Sequence, residues 1–254
     1  MLISACSTQV ENSISYYNFS DDKFLKQTWW KLLSLAFLIF AIIGGLSIPL
    51  YTGAEGLAFP NLPILNESIR NLLYHVPMWF AMVVLLFISF IYSIKYLSNP
   101  TFQKDNYANS FAIVGVVFGA FGIFTGMIWA KSTWGAPWTN DPKLNGAAIG
   151  MLIYLAYLIL RQSVDDEVKK GKLAATYNIF AFIMYIAFIF VIPRMTDSLH
   201  PGNGGNPAFS QYDLDNTLRI FFYPATIGWI LLSIWITGIL VRINVINNQI
   251  EEEF

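Results

Sequence analysis

Apolar residues in this chain neither alternate nor recur every three to four positions; they run on almost without interruption. Six stretches, approximately 29–51, 72–97, 108–130, 142–161, 174–193 and 219–241, stay nearly uncharged over the length a helix needs to cross a hydrocarbon core, about 20 residues. Polar residues collect between them, in turns such as "RQSVDDEVKKGK" and in both tails. Lipid offers no partner to a free backbone group, so runs this continuous fold as helices. The pattern predicts an all-α integral membrane protein with six transmembrane helices. Its expected organisation is a cytoplasmic tail over 1–28, a membrane domain over 29–241 and a second cytoplasmic tail over 242–254.

Local signals refine the elements. Trp29 and Trp30 suit the headgroup layer at the start of the first helix. Pro77 in "RNLLYHVPMWF" has no N–H to donate, which predicts a kink in the first turn of the second helix. Gly115, Gly119, Gly122 and Gly126 give the third helix one face without side chains. Close approach of a neighbouring helix accounts for such a face, and a flat ligand lying on bare backbone is the alternative. Gly146 and Gly150 repeat the spacing, so the third and fourth helices are expected to pair through these faces. Asp141 followed by Pro142 reads as an N-cap with proline at the first helical position. The stretch "RMTDSLHPGNGGNPAFSQYDLDNT" is a long loop of turn-forming residues, and loops this long serve function or motion more often than connection.

Composition agrees with the pattern: of 254 residues 56% are hydrophobic and 12% charged, against about 25% charged in a soluble domain. Orientation follows from the basic residues. With the N-terminus inside, the inner side holds ten: Lys23, Lys26, Lys31, Lys95, Lys104, Arg161, Lys169, Lys170, Lys172 and Arg242. The outer side holds five, Arg70, Lys131, Lys143, Arg194 and Arg219, so both termini are expected in the cytoplasm. The net charge of -1 says little about partners, and no basic aromatic surface suggests nucleic acid. The single cysteine, Cys6, excludes an internal disulfide and a multi-cysteine metal site within one chain. "LISAC" has small residues like a lipoprotein processing site, but the charged and apolar regions of a targeting signal do not precede it.

The candidate chemistry lies on the expected outer side. The chain has two histidines, His75 and His200, and both fall there, as does the insert "WGAPWTNDPKL" over 134–144. Two neutral imidazoles suit the axial positions of an iron porphyrin, whose faces take aromatic contact. Lys131, Lys143, Arg194 or Arg219 would then neutralise its propionates. Blander readings stand beside this one. Tryptophans near a membrane serve as interfacial anchors, Asp141 serves as a helix cap, Lys143 snorkels to headgroups, and two histidines also suit another metal or proton transfer. No phosphate-cradling loop or zinc-binding His-Glu-x-x-His helix is present.

At these residues the chain resembles the haem-handling membrane proteins of cytochrome c maturation that carry a tryptophan-rich WWD segment. "WGAPWTNDPKL" is similar to their WG-x-x-W-x-W-D signature, "YHVPMWF" to the "HVP" that opens a helix in the CcmC branch, and "DSLHP" to its second histidine. Pro137 and Asn140 stand where that branch commonly has tryptophan, and Pro142 is closer to the CcsA-type spelling. The resemblance implies transient haem b with bis-histidine ligation by His75 and His200, on a platform formed in part by Trp134, Gly135, Trp138 and Asp141. It implies a bacterial inner membrane and delivery of haem to a CcmE-like periplasmic chaperone. CcmA/CcmB-like ABC transporter subunits and a CcmD-like small membrane protein would assist, in assembly rather than conventional enzymatic turnover. The alternatives are a CcsA-type haem export or cytochrome c synthetase component and a membrane haem redox protein.

Overall fold

The computed structural model describes residues 23–48, 66–200 and 216–253. Cys6, the stretch 51–63 and most of the last long loop lie outside the described residues. Six helices are long and apolar enough to cross a membrane: α1 (Trp29–Ser47), α2 (His75–Ser98), α3 (Phe102–Trp134), α4 (Pro142–Gln162), α5 (Glu167–Ile186) and α6 (Asn216–Glu253).

Their limits follow from capping chemistry. α3 outruns its expected span at both ends. Thr101 accepts the N–H of Lys104 at its start, and Gly135, at φ 81°, closes it in the left-handed conformation that glycine adopts without strain. α4 begins as expected: the Asp141 carboxylate accepts the N–H groups of Lys143 and Leu144, with Pro142 in the first turn. Pro77 sits in the first turn of α2. It is the third residue of α2, where an N–H would have no intrahelical partner. The irregular turn lies just before it, where a 3-10 helix over Asn66–Leu73 gives way to α2 at His75. Arg70 of that segment donates to the carbonyls of Gly45 and Ile48, satisfying the end of α1.

α2 is the central helix, packed most extensively on α3 and also on α5 and α6, while α1 rides chiefly on α6. Polar side chains join the helices internally. Asn178 of α5 donates to Ser89 and Ser93 of α2 at 2.7 and 2.8 Å, and Asn106 of α3 donates to the carbonyl of Val241 in α6 at 2.9 Å. In an apolar medium such bonds hold helices together where the hydrophobic effect gives no preference.

The glycine face of α3 meets chiefly α2, and at Gly119 also α4, where an added Cβ would lie 2.6 Å from Met151. A Cβ on Gly115 would lie 2.9 Å from Leu86, one on Gly119 2.5 Å from Met82, one on Gly122 2.8 Å from Trp79 and one on Gly126 2.6 Å from His75. Gly146 and Gly150 of α4 instead admit the backbone of Phe188 and the ring of Tyr185. Equal spacing therefore marked close approach without fixing one partner: the α3 face takes α2 with a single contact from α4, and the α4 face takes the end of α5.

α5 does not end as an ordinary helix. Over Ala187–Val191 it widens into a π turn, followed by a 3-10 turn over Ile192–Arg194. The start of α2, the end of α3, the start of α4 and the end of α5 all gather at one end of the bundle. At the other end the Arg161 guanidinium forks onto both oxygens of Asp105, tying α4 to α3.

Candidate functional site

Both histidines line one cavity of about 210 Å³ at the gathered end. His75 belongs to the first turn of α2, and its ring occupies the space left by Gly126. Its Nδ1 lies 2.9 Å from the Gly122 carbonyl oxygen and 3.2 Å from Thr125 Oγ1. A carbonyl only accepts, so Nδ1 carries the proton and donates it, leaving a lone pair on Nε2. The bare face of α3 thus does more than admit α2: it orients one imidazole.

His200 follows the 3-10 turn that ends α5, and its support comes from Asp141. One carboxylate oxygen of Asp141, Oδ1, lies 3.0 Å from His200 Nδ1 and also caps α4. The other, Oδ2, accepts the Leu199 N–H at 2.7 Å and the Ser198 hydroxyl at 2.9 Å. Asp141 is 1% exposed. Burial alone would raise its carboxyl, yet the bonds from Leu199, Ser198 and Lys143 and the neighbouring His200 hold it below the ordinary value. An ionised Asp141 only accepts, so His200 also donates from Nδ1 and keeps its Nε2 lone pair. Burial, followed by the Lys143 charge, lowers His200 to about 4 against the opposing pull of Asp141. Its ring is neutral at neutral pH.

Aromatic rings complete the walls. Trp134 meets His200 edge to face at 5.1 Å between centroids, and Trp129 meets Trp134 at 5.1 Å in the same manner. Trp79 packs against His75 at 6.3 Å, and a more exposed Trp138 joins the lining. Ile189 and Phe190, both in the π turn of α5, form another part of the wall.

The expected site residues therefore divide by position. His75, His200, Trp134 and Trp138 line the cavity. Asp141 stands behind His200 as its hydrogen-bond partner, and Gly135 serves the turn that ends α3. Pro137 also lines the cavity, whereas Asn140 accepts a bond from Asn145 at 2.8 Å. Of the four basic residues considered for an acidic ligand, Lys143 lines the cavity; Arg194 donates to the Phe190 carbonyl and lies over its ring. Trp79, Trp129 and the Gly122 carbonyl were not foreseen. Trp79 stands four residues after His75, a spacing that places both on one helix side. Trp129 and Gly122 depended on which helix faces which.

Two imidazoles with protonated Nδ1 and free Nε2 atoms, facing one aromatic cavity, can bind a metal-centred planar ligand. The histidine–carbonyl and histidine–carboxylate bonds are the outer supports that metal-binding imidazoles generally have.

Residues 14–200 match the family described as Cytochrome C assembly protein. The chain is 34% identical over 94 residues to the cytochrome c biogenesis protein CcsA of Pelargonium hortorum, covering 37% of this chain and 30% of that one. It is 41% identical over 69 residues to the protein of the same name from Thermosynechococcus vestitus, covering 26% and 22%. To the heme exporter protein C of Escherichia coli it is 24% identical over 184 residues, 70% of each chain. The match thus spans less than a third of these two CcsA proteins and a larger share of the exporter.

Proposed function

The chain belongs to the cytochrome c assembly protein family, and from that premise we propose that it binds haem through His75 and His200 and presents it to a periplasmic haem chaperone during cytochrome c maturation. The carrying observation is the pair of imidazoles whose Nδ1 atoms are engaged by Gly122 and Asp141, each retaining an Nε2 lone pair at a shared cavity. Haem fits these residues. Its iron takes two neutral nitrogen donors, its flat apolar ring takes aromatic walls, and its carboxylates take a cation, here Lys143. When bound, it supplies the vinyl group and the iron; this chain's residues supply position.

The division of labour follows from the bonds. His75 and His200 would hold the iron, with Gly122 and Asp141 fixing their rings. Trp79, Trp129, Trp134 and Trp138 exclude water from the macrocycle, and Lys143 fixes its orientation. The positive-inside count supports a cavity on the outer side, which in this reading faces the periplasm of a bacterial inner membrane. A CcmE-like chaperone is the acceptor in this reading, with CcmA/CcmB-like and CcmD-like partners assisting.

A CcsA-like role is the second reading. The higher identity of the short CcsA matches and the Asp141–Pro142 spelling favour it. It replaces the chaperone by an apocytochrome as acceptor. The two separate when the purified, haem-loaded chain is offered each acceptor in turn and covalent haem is measured on both. His75→Ala and His200→Ala are each expected to abolish the low-spin haem spectrum; unchanged haem content and ligation in both would overturn the proposed site.

A further inference from the structure

The two histidines are held by different means. His75 is part of α2, and its ring lies against the backbone of α3, bonded to a main-chain carbonyl. Neither support can leave without parting two transmembrane helices. His200 lies in the irregular segment after α5, with Met195 and Leu199 77% and 61% exposed beside it. The side chain of Asp141 gathers that segment, accepting from Leu199 N–H, Ser198 Oγ and His200 Nδ1. A second turn of the same clasp closes locally, the His200 N–H donating to Ser198 Oγ at 3.1 Å.

From this asymmetry, and resting on the proposed haem-binding role, we propose that His200 is the ligand exchanged when haem is handed on, that His75 is the ligand that stays, and that Asp141 is the latch controlling the exchange. A carboxylate behind an imidazole makes the ring a stronger donor as well as fixing it. An engaged latch therefore holds iron firmly through His200. Drawing Asp141 away weakens the donor and releases its loop together. The exchange itself conserves charge and electrons: the His200 Nε2–iron bond breaks, each electron pair staying with its nitrogen, and a neutral imidazole of the acceptor donates its own pair in its place. No proton, oxidant or reductant is needed. The latch is not part of the cavity lining; it is buried behind the ring it governs, and the exposed Met195 and Leu199 are the part of its segment open to a partner.

The test uses the full chain, purified and loaded with haem, with apomyoglobin as a soluble haem acceptor. Asp141→Asn keeps an N-cap for α4 but removes the carboxylate. It is expected to bind haem with both nitrogens and to release it at least about tenfold faster, the scale on which outer supports of a metal ligand act. Ser198→Ala should fall between this variant and the parent. Asp166→Asn, the same change at the N-cap of α5 in the opposite half of the fold, should release haem at the parent rate. In parallel, His200→Gly should retain haem when imidazole is supplied, with the imidazole exchanging freely, while His75→Gly should lose haem even so.

Release from Asp141→Asn at the parent rate, or retention by His75→Gly rather than His200→Gly, would overturn the exchange order while leaving two-histidine binding intact. Native haem spectra in both glycine variants without imidazole would overturn the binding role and the exchange order together.

Discussion

His200 Nδ1 lies 3.0 Å from Asp141 Oδ1, the same oxygen that accepts the Lys143 N–H and starts α4. One carboxylate thus begins a transmembrane helix and orients an imidazole that arrives 59 residues later in the chain. The helix start and the site are built from the same few atoms, and their contributions can be pulled apart by choice of substitution.

Asp141→Ala removes both functions, whereas Asp141→Asn keeps a good cap. Loss of a cap costs about 1 kcal/mol, and losing the carboxylate leaves the Leu199 N–H without its partner. Thermal unfolding in detergent should show a clearly lower midpoint for the alanine variant and a smaller loss for asparagine. Equal losses would mean that the cap contributes nothing.

Gly126→Ala places a methyl group 2.6 Å from His75 Cε1. The ring has to move, and its bond to the Gly122 carbonyl goes with it. Overpacking of this kind costs about 1–3 kcal/mol. Haem content, read from absorption, should fall sharply in this variant, while far-ultraviolet circular dichroism stays that of the parent helix content. Full haem loading would refute the role of the bare face in setting His75.

The His200 ring should remain neutral well into the acid range. It is lowered to about 4 by burial and Lys143, against about 6.5 in an unfolded chain. Between those values the unfolded state binds more protons, so stability rises as pH increases from about 4 to about 6.5 and is flat above. Unfolding midpoints of the haem-free protein across that window should show this slope, and His200→Gln should reduce it. A slope of opposite sign would show that Asp141 dominates and the ring is charged.

Arg161 and Asp105 lie at the end of the bundle away from the site, each with a side chain under 20% exposed. Removing either partner alone should cost about 3 kcal/mol, because the other charge is left unpaired in a poorly solvated place. The double change should cost less than the sum of the two. Haem spectra should be unchanged in all three, which separates stability at one end from ligation at the other.

Much of this arrangement is legible in the sequence because it depends on local chemistry. Uninterrupted apolar runs announce the helices, and Asp141–Pro142 announces where α4 begins. The histidines and the tryptophan-rich insert announce one end of the bundle as the chemical one. What was not legible depends on which helix faces which. The glycines of α3 specify a close neighbour without naming α2, so Trp129 and the Gly122 carbonyl could not be joined to His75, as Trp79 could by its spacing. Pro77 announces an irregular outer turn, and the structure gives that turn the form of a 3-10 segment ending where α2 begins. Asp141 was legible as a cap, and only the return of the chain at 198–200 gave it a second duty.

The π turn at Ala187–Val191 works as an angular index. An α-helix advances about 100° per residue, and a wide turn accommodates a residue that a regular helix would carry around its axis. Adding one further residue there, where the wide turn already absorbs one, would carry everything after it around the axis by roughly that angle and swing Ser198, Leu199 and His200 away from the carboxylate that receives them. A single change that disables this site need touch none of its ligands: it is a count lengthened by one, made in the wall of the cavity.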